Sequence, residues 1–289
     1  MGGFRSANIA PPERLLFSFT VEPQQLASLR IGNRKYHKDL LGRFFLAFRK
    51  DEDAMTYNPL EHVEFTDNPE PRCPVILLLD ISGSMSGSPI AELNEGLRAF
   101  EQTLKADRLA SLRVEVAVIT FGGTPTVVNG RSGGAISMPF DANQAFVTVD
   151  QFTAPTLTTR GDTPMGGAAR QMLPLLRDRK QIYRQNGIDF FRPWVFMITD
   201  GGPTDTGWEA AADQVREEED RKGLNFFAVG VQSADMTTLA RFCKRNQPLK
   251  LKGLAFRDLF QWLSNSLSAV SQSQPGEQVA LPAVGWAVA

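Results

Sequence analysis

Three short runs of oxygen-bearing side chains stand out in this sequence: Asp80-Ile-Ser82-Gly-Ser84, Gly161-Asp-Thr163-Pro-Met165 and Thr199-Asp200-Gly201. Their chemistry is that of a site for a hard cation. Mg²⁺, Mn²⁺ and Ca²⁺ take oxygen ligands, and Mg²⁺ wants an octahedron in which it keeps some waters. Two carboxylates and a few hydroxyls therefore suit such an ion better than a histidine or thiol cage would. In Asp-x-Ser-x-Ser the alternate spacing lets one tight turn aim three side chains at a point, with Gly83 permitting the bend. With only Asp80 and Asp200 supplying negative charge, the site neutralises a dication and still lets it attract an incoming carboxylate. Alone, Asp-x-Ser-x-Ser is a common turn whose bland reading is a helix-capping loop. The three segments in this order, the first and last closing apolar strands, make a set.

To converge, these segments must lie at one edge of a sheet. From about Pro74 the chain alternates apolar strand-like runs with amphipathic helical runs, the pattern of a doubly wound, mostly parallel α/β sheet whose loops meet at the carboxyl edge. Val75 to Asp80 is a continuous apolar run ending in an acid, as a buried parallel strand reads when its end carries a site. Ser88 is placed to cap the next helix and Pro89 to occupy its first position, with Ile90, Leu93, Leu97, Phe100 and Leu104 at helical spacing. Val114 to Phe121 is a second strand, and Gly122, Gly123 and Pro125 turn it into a weak antiparallel edge strand, Thr126 to Val128. Residues 130–161 read as a loop with short strand or helix pieces. A helix over Met165 to Arg177 follows, which Pro174 should kink or shorten.

The rest repeats the alternation. Trp194 to Thr199 is a strand; Trp208 to Lys222 is a surface helix with Trp208, Ala211, Ala212 and Val215 inward. Leu224 to Val231 is a strand, Met236 to Cys243 a short helix, Lys250 to Leu254 a last strand. Phe256, Leu259, Phe260, Leu263, Leu267 and Val270 mark an amphipathic closing helix. Trp194, Trp208 and Trp262 read as core residues.

Composition narrows the function classes. The 289 residues carry 31 Lys+Arg against 32 Asp+Glu, so no global field draws the protein to nucleic acid. No apolar stretch reaches the roughly 20 residues a bilayer requires, so no membrane partner is expected. Met1 leads into Gly2, Gly3, Phe4 and Arg5 without an apolar core segment, which points away from a secretory signal and toward the cytoplasm. Cys73 and Cys243 lack metal-site spacing and are expected as reduced, packed thiols. Residues 1–60 differ in kind from residues 61–289, which form the metal-binding domain. They hold a basic segment (Arg30, Arg34, Lys35, Lys38, Arg43, Arg49 and Lys50) and an apolar patch, Leu40, Leu41, Phe44, Phe45, Leu46 and Phe48. An amphipathic docking helix and an extension without fixed structure are both compatible with that pattern.

On the three oxygen-rich segments the sequence resembles the von Willebrand factor A domains, whose metal-ion-dependent adhesion site is shared with integrin inserted domains. The resemblance implies Asp80, Ser82, Ser84, Thr163 and Asp200 as direct or water-bridged ligands of Mg²⁺, with Mn²⁺ or Ca²⁺ as substitutes. A closer likeness is to the bacterial YegL and TerY-like proteins. It runs through Asn68-Pro-Glu-Pro-Arg-Cys-Pro74, Gly161-Asp-Thr-Pro-Met-Gly166, Arg192-Pro-Trp-Val-Phe-Met-Ile-Thr-Asp-Gly201, Phe226-Phe-Ala-Val-Gly230 and Leu259-Phe-Gln-Trp-Leu-Ser264. It covers the chain from about Glu61 onward and implies an adaptor in a stress or tellurite-resistance system. A serine/threonine kinase and a PP2C-type phosphatase are the partners it implies.

An enzyme is the main competing reading, since a metal at such an edge can hydrolyse a phosphoester. A haloacid-dehalogenase-like phosphatase needs a second aspartate two positions after the first, where Ser82 stands. A serine hydrolase needs a histidine after its nucleophile, yet His37 and His62 both precede the first core strand. No Gly-Lys-Ser/Thr phosphate loop occurs. The reading is therefore a non-enzymatic binder whose ion is completed by a partner's Asp or Glu. The alternatives are a metal-dependent phosphohydrolase and a purely structural metal, the latter requiring a closed coordination sphere. Asp162 and Asp205, near the ligand loops, either order them, repel wrong partners, or are solvated loop acids.

Overall fold

A computed structural model describes residues 29–31, 34–36, 65 and 67–288. The chain divides into two compact units, Met1–Leu60 and Glu61–Ala289. In the first, strands β1 (Leu29–Ile31) and β2 (Arg34–Tyr36) pair antiparallel, Arg30 opposite Lys35. The apolar patch from Leu40 to Phe48 and the amphipathic helix considered for it lie outside the described residues.

The second unit is an eight-stranded sheet between two helical layers. Its strands are β3 (Cys73–Asp80), β4 (Val114–Phe121), β5 (Thr126–Val128), β6 (Val147–Thr148), β7 (Trp194–Thr199), β8 (Asn225–Gly230), β9 (Leu249–Leu251) and β10 (Ala287–Val288). The order is β10-β9-β8-β7-β3-β4-β5, with β6 also on β4. The central pairs β8/β9, β7/β8, β3/β7 and β3/β4 are parallel. The antiparallel edge strand read at Thr126 to Val128 is β5, and β6 on β4 and β10 on β9 add two more antiparallel pairs.

The central strands are apolar on both faces because both are covered. Val75, Leu77 and Leu79 of β3 face one core with Val116, Val118, Phe196 and Ile198; Ile76 and Leu78 face the other with Ala117, Ile119, Val195 and Met197. The first core is closed by α1 (Ser88–Ala106), α2 (Arg108–Arg113) and α7 (Phe256–Ser271). Gly96 is where α1 and α7 touch, since a Cβ there would stand 2.5 Å from the Phe260 ring. The second core is closed by α4 (Met165–Gln185), α5 (Trp208–Asp220) and α6 (Met236–Phe242), with α3 (Ala142–Ala145) beside them.

Two local expectations need correction. Gly87, not Ser88, holds the cap position of α1; its φ of 81° turns the chain into the helix, and Ser88 and Pro89 already lie inside. Pro174 does not end α4, which runs on to Gln185. Leu175, Leu176, Arg179, Lys180 and Tyr183 are buried beyond the proline, so their packing outweighs the one backbone hydrogen bond Pro174 cannot donate. Trp194 and Trp262 are buried as expected, while Trp208 is half-buried and stacks on Phe242. The thiols of Cys73 and Cys243 are free and buried, and burial pushes each up to about 12. No helix among the described residues is long and apolar enough to cross a membrane.

At the amino end of the sheet lies a buried ionic cluster. Glu115 of β4 accepts from Arg72 Nε at 2.9 Å, Arg179 Nη2 at 2.7 Å and Arg179 Nε at 2.8 Å, and from the Tyr183 hydroxyl. Phe65 covers it, its ring centre 5.2 Å from each guanidinium.

Candidate metal centre

Parallel pairing of β3 with β7, Leu79 opposite Ile198, brings their carboxyl ends out side by side. Asp80 closes β3 and Asp200 follows β7, so two acids far apart in sequence emerge as neighbours. Asp80 is fully buried. Its Oδ1 accepts from the Ser82 backbone N–H at 2.7 Å and its Oδ2 from the Thr199 hydroxyl at 2.5 Å, so both oxygens are fixed. The first of these bonds is the Asx-type turn that folds Ser82 back toward the strand end. A single 3₁₀ turn, Gly83–Met85, follows, and the Met85 side chain anchors it in the core. Ser82 and Ser84 hydroxyls are 3.0 Å apart, and Ser84 Oγ donates to Asp200 Oδ1 at 2.7 Å. Asp80, Ser82, Ser84 and Asp200 thus form one hydrogen-bonded chain.

Thr163 reaches the same place by backbone stitching. Gly83 N–H donates to Gly161 O and Gly123 N–H to Asp162 O, each at 3.0 Å, tying its loop to the turns after β3 and β4. Thr163 N–H donates to Thr204 Oγ1 and Thr204 N–H to Thr163 O, both at 3.0 Å, tying it to the segment after β7. The Thr163 hydroxyl lies against Gly201, 3.5 Å from where a Cβ would stand there. It is not part of the hydrogen-bonded chain of Asp80, Ser82, Ser84 and Asp200.

The electrostatics of this group are those of an anion pair. Burial pushes the Asp80 carboxyl above the usual range and the Asp200 charge adds to the rise, against the hydroxyls of Ser82 and Thr199 and the Ser82 amide. Neither Asp80 nor Asp200 forms an ion pair with a described residue. Among the described residues no three His, Cys, Asp or Glu side chains group to hold a metal. The side chains gathered here are two carboxylates and the hydroxyls of Ser82, Ser84 and Thr163, oxygen atoms throughout, which is chemistry that fits a hard dication. Asp80, Asp200 and Thr163 are nearly buried while Ser84 is exposed, so the group opens to solvent on the Ser84 side.

Two residues outside the assigned ligand set position the others. Thr199 reads as a strand residue, yet it holds Asp80 Oδ2. Asp205 receives the N–H groups of Gly166 at 3.1 Å and Gly167 at 2.7 Å and pairs with Arg170 at 2.8 Å, so it caps α4 and orders the Thr163 loop. Of the three sequence readings of Asp205, the ordering of the ligand loops is the one these bonds bear out. Asp162 is exposed and contributes its carbonyl alone to the stitching.

Gly161 has no room for a side chain: its φ is 62°, and a Cβ added to it would stand 2.5 Å from Gly123 N. Gly161→Ala is expected to destabilise the domain by about 1–3 kcal/mol and to weaken metal affinity, because the loop it displaces carries Thr163. Urea unfolding and metal titration by calorimetry check the two effects separately; unchanged metal affinity would remove Thr163's loop from the site.

The model of the von Willebrand factor type A domain matches residues 75–258. No curated protein sequence matches the chain. Among solved structures, the chain is similar to a von Willebrand factor type A protein from Catenulispora acidiphila, with 15% identity and a TM-score of 0.46 over 69% of this chain and 43% of that one. It is similar to proximal thread matrix protein 1 from the mussel byssus with a zinc-occupied metal-ion-dependent adhesion motif, at 15% identity and a TM-score of 0.42 over 69% of this chain and 48% of that one. A third is the manganese-loaded Plasmodium vivax TRAP protein, at 18% identity and a TM-score of 0.41 over 65% of this chain and 73% of that one. The chain spans about half the length of the solved proteins it matches first, 48% and 46%.

Proposed function

Since the chain belongs to the von Willebrand factor type A domain family, we propose that its carboxyl-edge site holds one divalent cation and uses it to capture an Asp or Glu side chain of a partner protein. The observation that carries this reading is the buried Asp80 carboxylate, joined to Asp200 through Ser82 and Ser84 with no cationic side chain among the described residues to neutralise either. Two like charges so placed are costly without a cation between them. Asp80, Ser82, Ser84, Thr163 and Asp200 are the residues we assign to hold it, with Mg²⁺ the expected ion and Mn²⁺ or Ca²⁺ able to replace it.

When bound, the ion supplies a positive centre that a carboxylate from outside can approach. The chain's own residues do the rest. Thr199 and the Ser82 amide keep Asp80 fixed, so its orientation costs nothing on binding. Ser84 stands at the exposed side and donates to Asp200, the bond that must rearrange when the Ser84 oxygen turns to the ion. The Thr163 loop, held from both sides by Gly83, Gly123 and Thr204, is the element whose shift lets hydroxyl and water exchange. The role is that of an adaptor rather than an enzyme. Ser82 stands where a dehalogenase-like phosphatase needs its acid, and the two histidines, His37 and His62, lie outside the described core.

The likeness to YegL and TerY-like proteins supports a bacterial, cytoplasmic role. There the partners would be a serine/threonine kinase and a PP2C-type phosphatase of a stress or tellurite-resistance system, with residues 1–60 a basic element separate from the binding domain of residues 61–289. The test is an affinity pull-down from host lysate with Mg²⁺, with EDTA, and with Asp80→Ala as bait. A kinase or phosphatase retained only by wild-type protein with Mg²⁺ is the expected result. Identical lanes would leave a structural metal or binding through the N-terminal unit.

A further inference from the structure

Beside the candidate metal centre lies an open cleft of about 200 Å³, and we infer that it is a second carboxylate subsite, so that the partner is an acidic segment offering two carboxylates, one to the ion and one to Arg160. This rests on the proposed metal-bridged binding and adds what the partner must look like.

The cleft shares a wall with the metal loop. Ile81, between Asp80 and Ser82, forms one wall, and Arg160 N–H donates to its carbonyl at 2.6 Å. A Cβ on Gly122 would stand 2.5 Å from Arg160 O and 2.7 Å from the Ile81 side chain, so the segments are packed without slack. Small-ligand pockets run roughly 300–1,000 Å³, so this cleft is sized for one side chain of a peptide. Its mouth carries Arg160, exposed, whose guanidinium donates to Thr126 Oγ1 at 3.1 Å and forms no ion pair with a described residue. Thr156 and Thr158 also line it, exposed, their hydroxyls bonded to no described residue. A planar fork of N–H donors that shares one cleft with two hydroxyls bonded to no described residue suits a carboxylate. The opposing charge is Asp162, exposed and across Gly161 in sequence; it disfavours an acid on its own side and so directs the second carboxylate toward Arg160.

The probe is a phage-displayed library of random linear peptides, panned in Mg²⁺ on the full chain as wild type, Arg160→Gln and Asp80→Asn. Wild-type protein is expected to select peptides with two acidic residues at a recurring spacing, and Arg160→Gln to select peptides with one. A synthetic two-acid peptide is expected to bind Arg160→Gln about tenfold more weakly than wild type. The same peptide with its second acid changed to Gln is expected to bind both proteins alike. Selection of one-acid peptides by wild type, selection of none, or equal weakening of both peptides overturns the subsite. If Asp80→Asn selects the same two-acid peptides and EDTA changes nothing, the metal-bridged reading fails instead, while loss on Arg160→Gln still assigns the cleft.

Discussion

Asp80→Asn is expected to abolish the rise in melting temperature that Mg²⁺ gives the wild-type protein. A ligand that binds the folded state alone stabilises it by about 2.7 kcal/mol at a hundred times its Kd, which for a domain of this size is roughly 5–10 °C. The substitution is near-isosteric. Its amide oxygen still accepts from the Ser82 N–H, and Thr199 can turn its hydroxyl to accept from the new NH₂. It removes a buried charge that Asp200 opposes. The metal-free variant is therefore expected to melt no lower than metal-free wild type, so a lost metal response reports on the ion and not on the fold. Differential scanning calorimetry with and without Mg²⁺ reads both quantities. An equal rise in the variant would place the ion elsewhere; a metal-free variant that melts much lower would mean that Asp80 serves the fold first.

What the sequence discloses depends on how local the cause is. Strands β4 and β7 have the bounds read from the sequence, because burial on both faces makes each a mostly apolar stretch closed by a turn, Gly122-Gly123 after one and Asp200-Gly201 after the other. The convergence of Asp80, Ser82, Ser84 and Asp200 is legible for a related reason. Each sits at a strand end, and the alternation of strands and helices already dictates that such ends share an edge. Effects between distant segments are not legible. Pro174 carries its penalty in its own identity, while the buried Arg179 and Tyr183 that overrule it gain their value from Glu115, 64 and 68 residues away. Asp205 is legible as a candidate for ordering the ligand loops, but not as the acceptor for N–H groups 38 and 39 residues earlier. Trp286 gives no periodic signal, yet it is buried 5.8 Å from Trp262, whose Nε1–H donates to Pro282 O at 2.8 Å, and so fastens the C-terminal tail to α7.

Glu115→Ala is expected to destabilise the domain severely. Alternation within β4 would let a reader place Glu115 on a solvated face, but it is fully buried and binds two guanidiniums and a phenol. Burial pushes its carboxyl up, and Arg179, then Arg72 and the Tyr183 hydroxyl, more than reverse this and hold it below the usual carboxylate range. Removing it takes away the buried carboxylate that Arg72 and Arg179 share and leaves the Tyr183 hydroxyl without its acceptor, a loss of about 3–5 kcal/mol, or roughly 6–20 °C. Tyr183→Phe, which deletes one donor and leaves the carboxylate with both arginines, is expected to cost about 1 kcal/mol. That contrast separates an ionic cluster from general packing, since Phe and Tyr fill the same space. The pH dependence has a fixed sign as well. A carboxyl whose folded pKa is depressed contributes its full stability above the unfolded value and loses it as pH falls through the folded one. Urea unfolding across the acidic range should therefore show wild type converging on Glu115→Ala as pH falls; a gap that stays constant would mean the arginines are held by something other than this charge.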